Sequence, residues 1–95
     1  MKVKEITAIL EEAAPLFLQE SYDNSGLLVG DPEAEIDSAL ICGDATESVV
    51  AEAAEVGAGL VLSHHPVIFH PLKRLTGGSY IERTVAEAVR RGIAL

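Results

Sequence analysis

At 95 residues the chain has room for one small domain, and its 48% hydrophobic content is enough for a core. The net charge of -8 makes it a poor match for nucleic acid or anionic lipid, because both are bound by clustered Lys and Arg. Cys42 is the only cysteine, so no disulfide can form within the chain, which fits a reducing compartment. The opening Met1-Lys2-Val3-Lys4-Glu5 does not lead into a signal peptide, and no stretch reaches the roughly 18 apolar residues of a membrane helix. A soluble, cytoplasmic protein with no nucleic-acid or membrane partner is expected.

Ile6, Ile9, Leu10 and Ala13 recur at helical spacing and predict an amphipathic helix over 4–14, stopped by Pro15. Tyr22 to Ser25 is turn chemistry. Leu27-Leu28-Val29, between two glycines, predicts a short strand, and Gly30-Asp31-Pro32 another turn. Ile36 to Cys42 predicts a buried strand ending at Gly43-Asp44. Thr46 is a good N-cap for the next helix, with Glu47 in its first turn and Val49, Val50, Ala53 and Ala54 as its apolar stripe. Gly57 and Gly59 end that helix, and Leu60-Val61-Leu62 predicts a second buried strand. A loop with two prolines then runs from Ser63 to Thr76.

Ser79 and Glu82 open a third helix in a capping-box pattern, with Ile81, Val85, Ala88 and Val89 as its buried face and Gly92 at its end. Ile93-Ala94-Leu95 reads as a further strand. Apolar strands alternating with helices predict an α/β fold in three layers, a mostly parallel sheet with flanking helices. A chain that stops on an apolar strand is expected to be the front piece, residues 1–95, of a single larger α/β domain.

The chemistry is expected at Ser63-His64-His65-Pro66, because ligands of open α/β sheets collect at the C-terminal ends of the strands. Neutral imidazole is a common ligand for transition metals. Adjacent residues of an extended chain point to opposite sides, so His64 and His65 are expected to diverge and to suit two metals or two sides of one cavity. Asp44, at the end of the neighbouring strand, is a candidate ligand or orienting group for an imidazole, and its plainer role is a turn residue before Thr46. Asp23 and Asn24 could line a polar pocket, and Asx turns explain them equally well. His70 reads as a solvated loop residue and Cys42 as inert core. Gly77-Gly78 before Ser79 reads as a turn rather than a phosphate cradle.

Three segments together resemble a known family. Tyr22-Asp23-Asn24-Ser25-Gly26-Leu27-Leu28-Val29-Gly30 is similar to its DN-x-GL-x-x-G signature. Ala39 to Thr46 is similar to its strand ending in D-x-T, and Ser63-His64-His65-Pro66-Val67-Ile68-Phe69 to its SHHP-x-x-F metal segment. The family is that of the Nif-three-like dinuclear-metal proteins, often labelled GTP cyclohydrolase 1 type 2 homologues, and the resemblance runs over essentially the whole chain. Tyr22 departs from the tryptophan expected before Asp23.

The resemblance implies a longer chain that binds two divalent metal ions (zinc, iron, manganese or nickel), with His64 and His65 each matching a metal ligand. It implies homo-hexamers and further ligands in a His-Thr-Asn-x-Asp segment and a distant His-x-x-x-Glu, neither present here. The cyclohydrolase label implies a metal-dependent hydrolase in which activated water attacks a small-molecule substrate. The substrate stays open, no catalytic residue is assigned, and a non-enzymatic metal-binding or protein-interaction scaffold is the alternative.

Overall fold

In the computed structural model, which describes residues 1–95, the elements run α1 (Val3–Ala13), a 3-10 turn (Leu16–Leu18), β1 (Ala39–Asp44), α2 (Glu47–Glu55), β2 (Leu60–His65) and α3 (Tyr80–Arg91). β1 and β2 form a parallel pair, with Ala39 opposite Leu60 and Asp44 opposite His65. The C-terminal residues extend this sheet: Ala94 bridges Leu60 in parallel, and Val29 and Leu95 exchange both of their backbone hydrogen bonds. The α/β class and the parallel pairing agree with the sequence.

Alternation along the strands creates two packed faces. Leu60 and Ala94 point to one side, where they meet Val3 and Ile36. Val61, Ile93 and Leu95 point to the other, where they meet Val50 and Ala53 of α2 and Val85 and Ala88 of α3. Helices therefore flank both faces, but unequally. α1 buries only Val3, and Ile9 stays 58% exposed. The apolar stripe of α1 is thus engaged only at its first turn.

The caps form where the sequence places them. The Thr46 hydroxyl accepts from the Val49 N–H, Ser79 accepts from the Glu82 N–H, and Gly92 closes α3 in the left-handed region. Four expectations shift. β1 starts at Ala39, because Ile36 exchanges backbone hydrogen bonds with Met1 and so belongs to a separate contact with the N-terminus. β1, expected to be buried, has no buried residue, with Ile41 76% exposed. Residues 27–29 form no ladder of their own and attach only through Leu95. β2 runs on through both histidines rather than ending at Leu62.

On α3, Val89 is exposed and Thr84 is fully buried in its place. The Thr84 hydroxyl donates to the Tyr80 carbonyl at 2.7 Å, so a polar residue sits in the core with its hydrogen-bonding need met inside its own helix.

Candidate metal site

β1 and β2 end side by side, and that register determines the site. In a parallel pair, opposite residues project to the same face, so Asp44 and His65 meet. His65 Nδ1 lies 3.0 Å from Asp44 Oδ1. A carboxylate can only accept, so Nδ1 carries the proton and the lone pair of the neutral ring is on Nε2, the atom free to coordinate a metal. Both side chains are solvent-exposed, so by itself the pair adds about 0–1 kcal/mol to stability. The Ser63 hydroxyl donates to the His65 carbonyl at 2.7 Å and steadies the end of the strand.

His64 lines a cleft of about 560 Å³ between α1 and the sheet, shared with Asn24, Ser25, Leu62 and Pro66. The two rings do not diverge as alternation predicts. Their centroids are 4.7 Å apart, in an edge-to-face arrangement. Alternation governs the directions of the Cα–Cβ bonds, and side-chain torsions at the exposed strand end swing the rings back together.

Asp23 and Asn24 lie away from Asp44 in sequence and act as a turn. Asp23 Oδ1 accepts from the Asn24 N–H at 2.8 Å. Asn24 also reaches the histidine loop, because its side-chain amide donates to the Ile68 carbonyl at 2.7 Å. Sequence reasoning had no signal for Gln19, whose side chain accepts from the Ser25 N–H, or for the Ile68 carbonyl, and it gave Ser63 a place in the segment without its bond to the His65 carbonyl. A backbone acceptor 44 residues away leaves no trace in a local pattern.

The donor set fits part of a divalent-metal site. It comprises two neutral imidazoles, one of them oriented by a carboxylate in the manner of many metal centres. No three His, Cys, Asp or Glu side chains of the chain converge on one point, whereas a catalytic zinc site keeps three protein ligands. Cys42 adds nothing to the set: burial pushes its thiol up, with a smaller push from the Asp44 carboxylate, so the sulfur stays protonated. His70 is exposed on the loop.

The Gly77-Gly78 turn is filled from within. The Glu82 carboxylate accepts from the Thr76 and Gly78 N–H groups at 3.0 and 3.4 Å, where an external anion would otherwise bind. Glu82 is held below its ordinary value, first by the Thr76 N–H, which outweighs the opposing effect of desolvation, and then by the Gly78 N–H and the hydroxyls of Ser79 and Thr76. A depressed carboxyl pKa means that its contacts are complete above the ordinary carboxylate range. They are lost as pH falls through the lowered value. The Thr76 and Gly78 amide resonances should therefore shift together with an apparent pKa below 4.5, and Glu82→Gln should abolish that step. A pH profile for these amides that survives the substitution would show that another group closes the turn.

No helix is long and apolar enough to cross a membrane. A family model described as Duf34/NIF3 (NGG1p interacting factor 3) matches residues 1–95. A Clostridium perfringens protein named GTP cyclohydrolase 1 type 2 homolog is 40% identical over 95 residues, covering 100% of the chain and 36% of the relative. NIF3-like protein 1 of Drosophila melanogaster is 43% identical over 96 residues, covering 99% of the chain and 32% of the relative. The crystal structure of Staphylococcus aureus protein SA1388 superposes with a TM-score of 0.93 at 35% identity, covering 100% of the chain and 27% of that protein. The chain thus spans about a third of the length of the curated relatives it matches. Matched along its whole length by the family model, and by relatives at these identities, the chain belongs to the Duf34/NIF3 family.

Proposed function

We propose that this chain contributes His64 and His65 as ligands to a divalent-metal centre at the C-terminal edge of its sheet. The observation that carries the reading is the Asp44–His65 contact at 3.0 Å, which favours the tautomer protonated on Nδ1 and leaves Nε2 for coordination. The His64 ring 4.7 Å away supplies a second imidazole on the side of the cleft. In a protein of the relatives' length, further ligands would complete a two-metal site, and zinc, iron, manganese and nickel all suit imidazole donors. The chemistry such ions supply when bound is activation of water and stabilisation of charge developing on a substrate.

The chain's own residues then orient and hold: Asp44 sets the His65 ring, Ser63 sets the strand end, and the cleft beside His64 receives the substrate. This supports a metal-dependent hydrolase, and the GTP cyclohydrolase 1 type 2 homolog name of the C. perfringens relative points the same way. A cytoplasmic location and assembly into a homo-hexamer belong to the same proposal.

Calorimetric titration of zinc into the chain tests it. Binding should be weak and fully reversed by a chelator, because two ligands stand where a structural site has four. Asp44→Asn should lower the affinity about tenfold, as loss of an orienting carboxylate does at other metal sites. An Asp44→Asn chain that binds zinc as well as the wild type would remove the orienting role from Asp44. A wild-type chain that takes up no zinc would defeat the proposal.

A further inference from the structure

We infer that Asn24 is a positioning residue for the histidine pair, holding the loop after His65 through the carbonyl of Ile68; the inference rests on the metal reading of His64 and His65. The loop has little else to fix its backbone. Pro66 and Pro71 have no N–H, and between Pro66 and Leu75 no backbone–backbone hydrogen bond forms. The one hydrogen bond to this stretch comes from the Asn24 side-chain amide, at 2.7 Å and partly buried. Val67 is buried, with Ile68 and Leu72 packed against the same cluster. Apolar packing is not directional, so it sets the depth of the loop but not the orientation of its peptide groups.

The donor is itself well anchored. The Asp23 N–H donates to the Glu20 carbonyl at 3.0 Å, the Asn24 N–H to Asp23 Oδ1 at 2.8 Å, and the Ser25 N–H to Gln19 Oε1 at 2.9 Å. Asn24, His64, Pro66 and Val67 border the same cleft, so the turn and the loop form two of its walls. An amide is required at this position. A carboxylate of the same shape would set an acceptor against the Ile68 carbonyl and leave the loop without its tether.

Asn24→Asp, which keeps the shape and removes the donor, and Asn24→Ala test the assignment by two independent readings. In the metal-free chain, NMR order parameters of the Val67, Ile68 and Phe69 amides should fall in both variants, while those of α2 and α3 stay unchanged. In zinc titrations, affinity should fall about 10- to 100-fold, the range found when a group supporting a metal ligand is lost. Unchanged loop order in a folded variant overturns the inference, as does unchanged zinc affinity.

If the wild-type chain takes up no zinc, the metal reading fails, and loop order in Asn24→Asp alone decides the tether. If neither variant folds, exchange of the wild-type side-chain amides decides it. The Asn24 NH2 should exchange more slowly than the Gln19 NH2, and equal rates overturn the inference.

Discussion

Replacing Gly30 by alanine should destabilise the chain by about 3 kcal/mol, from two causes of similar size. Gly30 sits at φ +112°, a conformation that side-chain-bearing residues rarely adopt. A Cβ there would also lie 2.8 Å from both Cα and Cβ of Ala94. Ala94 cannot retreat: it is buried, its N–H donates to Gly59, and its carbonyl accepts from Val61. The substitution therefore strikes the point where residues 28–30, the C-terminal segment and β2 meet.

A loss of that size is a large part of the about 5–15 kcal/mol that stabilises a typical domain. It should lower the Tm by about 15 °C in a chain of this length. Gly43→Ala is the control, since nothing lies within 4 Å of its added Cβ and its φ is not positive, and it should change stability by less than about 0.5 kcal/mol. Equal Tm values for the two variants would mean that the close approach of Gly30 to Ala94 does not exist in solution.

The second large effect is expected at the histidines. His64→Ala and His65→Ala should each reduce zinc uptake to the level of nonspecific binding, because one remaining imidazole cannot chelate. The rings stand 4.7 Å apart, within reach of one another's ion, so the two variants should resemble each other and the double variant should add little. His70→Ala should bind zinc as the wild type does, because His70 lies exposed on the loop beyond Phe69. All three sites are exposed, so Tm should change little and the zinc readout should not be confounded by unfolding. A His70→Ala variant that loses zinc while His64→Ala keeps it would move the site to the loop.

Much of this was legible in the sequence because it is local. The N-caps of α2 and α3, the αL glycine Gly92 and the buried start of β2 at Leu60 and Val61 are patterns only a few residues long, and each forms where the residues place it. That Asp44 lies near the histidines was legible too, since it ends the neighbouring parallel strand, whereas its pairing with His65 depends on β2 running on past Leu62.

What was not legible depended on long-range packing. Ile36 looks like the start of a strand and instead pairs with Met1, a contact that no local window contains. The amphipathic pattern of α1 does not tell how far the helix seats on the sheet; only its first turn engages, and the cleft beside His64 opens as a result. The apolar pattern of α3 does not include Thr84, which is buried with its hydroxyl bonded to the Tyr80 carbonyl. The orientation of the histidine rings depends on side-chain torsions, which alternation along a strand does not specify.

The most direct test of the metal reading is a two-bond 1H–15N NMR spectrum of the imidazoles of the chain, recorded as zinc is added. Without metal, His65 should show the tautomer protonated on Nδ1, as its contact with Asp44 requires. With zinc, the Nε2 resonance of His65 and one ring nitrogen of His64 should shift together and saturate at the same zinc concentration, with His70 unmoved. Zinc-dependent shifts confined to His70, or none at any ring, would contradict a metal site built on His64 and His65.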